Sequence, residues 1–239
     1  PWTLPAAIDM LWQDTSAEES LVVPRDVIDL SFRIHCRELP VDHAWPLYEA
    51  VSRIANWIDH EPTAAIHSIH VAASGNGWTR PVEEPGSLLQ LSRRTRLYLR
   101  IPETREAEAR LLCHHVLEMG DYRIEVGDCQ VKPLTPTDTV FTRSLAGDDA
   151  EDETTFTQRI ADTLMARGIR PRKILCGLRH TIHTPTGDLA ARSVLISDLE
   201  PMEAIRLQES GIGPGRELGC GIFLPHKSLA AVGSRQESH

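Results

Sequence analysis

Two kinds of residue carry most of the chemical possibility in this 239-residue chain: a run of glycines near one end and eleven histidines spread along it. The run is Gly211, Gly213, Gly215, Gly219 and Gly221, five of the chain's fifteen glycines. A segment with so few Cβ atoms lets its backbone come close to a partner, and its N–H groups can cradle phosphate oxygens. Arg216 lies in the middle of it and could add a forked cation. No Gly-Lys-Ser/Thr follows, so this is not a Walker loop. Its order, helix then loop then strand, also separates it from the Rossmann fingerprint. A plain flexible turn is the competing reading. Histidine suits proton transfer because its ordinary pKa of about 6.5 lies near working pH. His43 falls in the opening turn of a helix. His67 and His70 stand three apart in an extended segment, so one should be buried and the other exposed. His35 ends a strand. His60, His114 and His115 read as surface residues, and His180 and His183 flank a hairpin. Pairs such as His67/His70 and His180/His183 raise the question of metal. The helical HExxH motif is absent, and three-residue spacing on a strand splits a pair across faces, so no metal site is expected.

The rest of the composition narrows the class. Hydrophobic content of 41% and charged content of 25% are those of a soluble globular protein. No apolar run approaches the roughly 18–20 residues of a membrane helix, and no signal peptide is expected in the first residues. Five cysteines without a CxxC pair fit reduced thiols and a cytoplasmic setting. A net charge of -9 does not advertise a nucleic-acid binder. The charge is uneven, however. Gly147 to Glu153 is an acidic run, while Arg93, Arg94, Arg96 and Arg100 cluster, as do Arg167, Arg170, Arg172, Lys173 and Arg179. Screening confines charge effects to about 8–10 Å, so a local basic face can bind phosphate whatever the total charge.

These residues need elements to position them. Val27 to Cys36 alternates like a strand. Asp42 is a candidate N-cap for a helix whose apolar positions run from Ala44 through Leu47, Tyr48 and Val51 to Ile58. Tyr48 on that face reads as core. Ala65 to Ala72 and Thr95 to Ile101 read as strands, the second with its arginines on the outer face. Glu103 to His114 reads as a helix, and Val116 to Pro133 as three strands broken at Gly120-Asp121 and Gly127-Asp128. After a linker at Pro133 to Pro136 the order repeats: strand Thr139 to Leu145, helix Asp152 to Arg167, strands Arg172 to Thr184 and Leu189 to Leu199, a helix from Pro201 to Gln208, the glycine loop and a strand Cys220 to Leu224. The fold class predicted is α+β, two tandem ferredoxin-like (RRM-like, βαββαβ) domains with a C-terminal glycine-rich loop. The boundaries are 1–24 for an N-terminal extension, 25–134 and 135–230 for the domains, with the loop at 211–221, and 231–239 for a tail.

That arrangement, with Leu39-Pro40-Val41-Asp42-His43-Ala44 at one end and the glycine stretch Gly211 to Lys227 at the other, resembles the CRISPR-associated repeat-processing endoribonucleases, the Cas-six type of the RAMP superfamily. The MYXAN-subtype variant is the nearest resemblance, over roughly residues 26–230. It implies cleavage of a precursor CRISPR transcript within each repeat, without metal or cofactor, by attack of a 2′-OH on the adjacent phosphate. The products carry a 2′,3′-cyclic phosphate and a 5′-OH, and the product RNA often stays with the protein in an interference complex. By position, His43 matches the first-helix histidine of the family and becomes the first catalytic candidate. His70, His67 and Arg37 are the others. The glycine loop with Arg216, together with Lys227, Arg93, Arg94, Arg96, Arg179 and Arg192, would hold the repeat RNA stem-loop. Arg216 and its loop either bind RNA or brace the domain interface. A non-catalytic RNA-binding subunit on the same fold is the rival reading, and a protein-binding module a further one.

Overall fold

The computed structural model describes residues 23–70, 86–170 and 172–226. Most of the expected N-terminal extension, the tail 231–239 and Lys227 lie outside them. The described chain is a mixed α+β fold with antiparallel sheets. The first sheet contains β1 (Val27–His35), β3 (Ala65–Ile66), β5 (Arg96–Pro102), β6 (Val116–Met119) and β7 (Tyr122–Pro133), in the order β3-β5-β1-β7-β6. A two-stranded ribbon, β2 (Glu38–Pro40) with β4 (Leu88–Gln90), lies beside it. The second sheet has β8 (Val140–Ala146), β9 (Lys173–Ile182), β10 (Leu189–Ser197) and β11 (Leu224–Pro225), in the order β11-β8-β10-β9.

Each sheet buries its apolar face against helices from its own half. In the first, Ile28, Leu30, Phe32, Leu97 and Leu99 pack with Leu47 and Val51 of α1 (Ala44–Ser52). In the second, Val140, Val194 and Ile196 pack with Phe156, Ile160 and Leu164 of α3 (Glu153–Ala166) and Leu207 of α4 (Pro201–Ser210). The caps follow the local sequence. The Asp152 side chain accepts from Thr155 N–H at the start of α3, as an N-cap carboxylate should. Pro201 opens α4 inside a reciprocal capping box between Glu200 and Glu203.

Several elements depart from the expected outline. α1 begins after His43, not Asp42, and stops at Ser52 rather than Ile58. Its last turn tightens, because Ile54 N–H bonds to the Val51 carbonyl three residues back. Ala55 and Ile58 still reach the core, but from turns. The helix expected over 103–114 is one turn of α2 (Glu106–Ala109) between two 3-10 turns. β7 runs unbroken through Gly127-Asp128, where the register against β1 shifts between Phe32 and Ile34. A glycine at a bulge lets two backbones approach, and a Cβ on Gly127 would lie 3.4 Å from that of Arg33. The final strand is two residues, Leu224–Pro225, and 220–223 belong to the loop. In β3 only Ala65 and Ile66 pair as a strand, with His67 N–H continuing to the Tyr98 carbonyl at 3.0 Å.

The two halves are joined by side chains that cross between them. Val27 and Leu134 meet Ile205 of α4 in one small apolar cluster. In another, Leu218 and Cys220 of the glycine loop and Ile182 of β9 meet Ala44, Trp45 and Tyr48 of α1. Between them runs a buried polar seam centred on Arg100, which was expected on an exposed face and has 0% of its surface exposed. Asp29 and Arg100 are cross-strand neighbours in β1 and β5. Nε and Nη2 of Arg100 donate to the two Asp29 carboxylate oxygens at 2.8 and 2.9 Å. Its Nη1 donates to the carbonyls of Gln208 and Phe223, both at 2.8 Å. One guanidinium thus binds β1, α4 and the segment before β11.

Candidate active site

The glycine loop is shaped by the first half of the chain. Gly211, Gly213, Gly215, Gly219 and Gly221 all have positive φ. Two positions show why side chains are excluded. A Cβ on Gly211 would overlap Arg216 Nη1, and one on Gly219 would overlap the Ser68 hydroxyl. Gly211 and Gly221 are buried, Gly215 and Gly219 half-buried, and Gly213 exposed. The tip, Gly213-Pro214-Gly215, holds the loop's two exposed residues and is the stretch that most openly offers backbone to a ligand. Among the described residues, no carbonyl accepts from the N–H of Gly213 or Gly215. This is the part of the loop that keeps the donors of a phosphate cradle.

Arg216 does something other than the phosphate contact expected of it. It is 8% exposed, and Nε and Nη2 donate to the carbonyls of Ala64 and Thr63 at 3.3 and 2.9 Å. Nη2 also reaches the Glu209 carbonyl at 3.3 Å. Burial, with the nearby Arg100 charge, lowers its pKa to about 10, so it stays protonated at neutral pH. The guanidinium braces the loop against β3, the second of the two roles read from the sequence.

The histidines separate in the same way. His43 occupies the N-cap position of α1 and was expected at an accessible helix end, yet it is 4% exposed. Its Nε2 accepts from Ile69 N–H at 2.9 Å, which places the ring proton on Nδ1. Nδ1 in turn lies 2.9 Å from the Pro40 carbonyl and 3.1 Å from that of Val41. Both ring nitrogens are engaged by backbone, and the ring pins the 67–70 segment to the start of α1. His67 is buried, 3.4 Å from Asp29, with its ring against Tyr98. Burial outweighs the attraction of Asp29 and lowers its pKa, keeping it neutral. His70 is half-buried rather than exposed, and 67–70 run on past the end of β3 instead of forming the strand expected there. His60, read as an ordinary surface residue, is exposed at the end of a 3-10 turn.

That turn forms one wall of a cleft of about 360 Å³ between the halves. Trp45 and Tyr48 of α1 stand on one side, Asp59 and Glu61 of the turn flank His60 in sequence, and Pro214 and Glu217 close it from the glycine loop. Tyr48, expected in the core, is half-buried at this cleft. Burial and a hydrogen bond with Asp59 push its pKa up to about 12. Sequence reading missed this constellation because its walls are far apart in the chain. The proximity of His60 to Asp59 and Glu61 was the signal available.

The arginines form two groups. Arg37 is exposed, and its carbonyl accepts from Leu91 N–H at 2.8 Å, next to exposed Arg93 and Arg94. Arg96 pairs in register with Arg33, which extends the same basic edge and was not singled out from sequence. Arg96 Nη1 donates to the carbonyls of Arg93 and Thr95, both at 2.9 Å, and so shapes that edge. Arg179 and Arg192 are register partners on β9 and β10. Arg179 donates to the Glu151 carbonyl, and Arg192 lies 3.7 Å from Glu153 and over the Phe156 ring. Their charge is answered within the second half by the acidic run.

Residues 28–228 match the model of one protein family, described as Cas6 Crispr. The chain belongs to the Cas6 family. The match runs through both sheets and the whole cleft. A CRISPR-associated endonuclease Cas6 from Myxococcus xanthus (strain DK1622) is 28% identical over 207 residues, which is 87% of this chain and 85% of that protein. Among solved structures, a Cas6-related protein from Pyrococcus furiosus superposes with a TM-score of 0.54 at 13% identity, covering 82% of this chain and 97% of that one. A RAMP protein described as binding different RNA substrates gives 0.57 at 14% identity, covering 84% and 100%. At such identities the superpositions establish the shared Cas6 fold. Among the described residues, no helix is long and apolar enough to cross a membrane.

Proposed function

We propose that this chain is a CRISPR pre-crRNA endoribonuclease. It cuts the precursor transcript within each repeat and needs no metal or cofactor. The observation that carries this reading is the Cas6 family match, which spans both halves and the glycine loop. The strand orders β3-β5-β1-β7 and β11-β8-β10-β9 support reading residues 25–134 and 135–230 as two ferredoxin-like domains, with the loop at their junction. In the reaction the 2′-oxygen loses its proton and bonds to phosphorus. The bond to the 5′-oxygen breaks, and that oxygen takes up a proton. A 2′,3′-cyclic phosphate and a 5′-OH result.

Proton transfer needs an accessible group with a pKa near neutrality. His43 and His67 are enclosed and serve as scaffold in this reading. We assign the transfer to His60, exposed between two residues of the cleft wall, with half-buried His70 as the second group. The Gly213–Gly215 tip holds the phosphate. The edge formed by Arg33, Arg37, Arg93, Arg94 and Arg96 carries the RNA backbone, and the protein keeps its product within an interference complex in the cytoplasm. The test is incubation with repeat RNA in EDTA. Wild type and His43→Gln should yield cyclic-phosphate product, whereas His60→Ala should lose at least about 100-fold in rate. Wild-type rates from His60→Ala would remove that assignment.

A second reading, a non-catalytic crRNA-binding subunit, has one observation in its favour: both nitrogens of His43 are held by backbone. Tight binding without any product in EDTA or in magnesium would favour it.

A further inference from the structure

Away from the glycine tip, the cleft is lined by more acidic groups than basic ones and by groups suited to a base. Among the described residues, three carboxylates, Asp59, Glu61 and Glu217, line it against one cation, Arg216, whose Nε and Nη2 donate to carbonyls while its buried Nη1 has no partner. Two of the carboxylates are engaged. Asp59 takes the Tyr48 hydroxyl, and Glu61 accepts from Thr63 Oγ1 at 3.3 Å and pairs with Arg105 at 3.5 Å. Glu217 is half-buried, and no hydrogen bond or ion pair among the described residues involves its carboxylate. Across from it, Trp45 and Tyr48 form an aromatic wall, their ring centroids 5.2 Å apart and tilted by 57°. Among the described residues no three His, Cys, Asp or Glu side chains gather as metal ligands. The volume of about 360 Å³ falls in the range of small-molecule sites.

A carboxylate presents two acceptor oxygens side by side and no donor. Among the four RNA bases, only guanine carries two adjacent donors on its Watson–Crick edge, N1–H and N2–H₂. Adenine and cytosine set a donor beside an acceptor there, and uracil places one donor between two acceptors. Unpaired bases are read in this way, on an edge and over an aromatic face. We propose that the cleft binds an unpaired guanine of the RNA, stacked on Trp45 and Tyr48 and read through both donors by Glu217. This rests on the reading of the chain as an RNA-cleaving enzyme. The phosphate of that nucleotide lies at the Gly213–Gly215 tip, so the base sets which phosphate is presented.

The test uses the full chain and labelled pentaribonucleotides of uridine with guanosine, adenosine, cytidine or inosine at the centre, titrated by fluorescence anisotropy. Inosine keeps N1–H and lacks the 2-amino group. Guanosine should be favoured about 10-fold or more over adenosine and cytidine, and inosine should lose most of that advantage. Glu217→Gln should abolish the preference, because its amide would oppose a guanine donor. Trp45→Ala should weaken all four pentamers together. If wild type binds the four equally, or binds none, the guanine site is refuted. Cleavage of repeat RNA by the same preparation separates the two claims. Cutting without base preference leaves the enzyme reading and removes the site, whereas guanine preference without cutting does the reverse. If Glu217→Gln fails to fold, the inosine comparison on wild type still decides.

Discussion

Replacing Arg100 by methionine isolates the seam between the halves. The guanidinium makes four charge-assisted hydrogen bonds, two to Asp29 within the first sheet and two to carbonyls of the second half. At about 1.5–3 kcal/mol each these would total roughly 6–12 kcal/mol, but stripping water from a fully buried guanidinium cancels much of it. What remains on deletion is an uncompensated Asp29 carboxylate, 13% exposed, and two buried carbonyls without donors. Losing one partner of such a pair costs about 3–5 kcal/mol. For a chain of this size that lowers Tm by roughly 6–20 °C. Adding Asp29→Asn should return part of the loss, since the stranded charge is gone. Urea denaturation of the two single variants and the double, followed by circular dichroism and tryptophan fluorescence, measures the coupling. A cost below about 1 kcal/mol for Arg100→Met, or strict additivity in the double, would refute the idea that one guanidinium holds the halves together.

Other outcomes follow from the same contacts. His67 has a folded pKa below its ordinary value because it is buried. The unfolded chain therefore binds the extra proton first, and stability should fall as pH drops below about 6.5, by at most about 1.4 kcal/mol per pH unit from this group. His67→Gln should flatten that part of a Tm-against-pH curve, and an unchanged slope would place the titration elsewhere. Asp29 works at lower pH. Burial opposes its charge, but Arg100, with His67, outweighs this and holds the carboxyl well below the usual carboxylate range, so its stabilisation is present above about pH 4 and lost below. Gly219→Ala forces a side chain onto a residue at φ 86 and against the Ser68 hydroxyl. We expect a cost of about 1–2 kcal/mol from the backbone alone, more from the overlap, and partial recovery with Ser68→Gly. Arg93→Ala and Arg94→Ala should each reduce the salt slope of repeat-RNA binding by roughly 0.7–0.9. A slope that does not move would take these residues off the RNA path.

What could be read from sequence was local. The start of α3 near Asp152, Pro201 opening α4 and the β9–β10 hairpin each depend on a few adjacent residues, and the structure has them where the pattern put them, whereas the cap read at Asp42 falls on His43 instead. Gly127-Asp128 misled because the same dipeptide marks a turn or a bulge, and only the opposing strand decides. Arg100 was placed outside because alternation gives one core face. Here the other face is covered too, by α4 and the segment before β11. A charged pair, Asp29 and Arg100, mid-strand at matching register was the trace of it. His43 illustrates the limit. Its type and position at the head of α1 were visible, but its partner Ile69 N–H is 26 residues away and cannot be inferred from either. The cleft combines both problems, since α1 and Glu217 lie at opposite ends of the described chain.

Arg216 joins the glycine loop to Thr63 and Ala64 across 153 and 152 residues. Contacts of such separation form late, because the loop-closure entropy must be met before they stabilise anything. During synthesis the aromatic wall on α1 emerges long before the Pro214–Glu217 wall, and domains fold as they emerge. A nascent or truncated chain would carry a folded first sheet and half a cleft. The geometry therefore ties competence to completion: the site comes into being only when nearly the whole described chain has been made and docked.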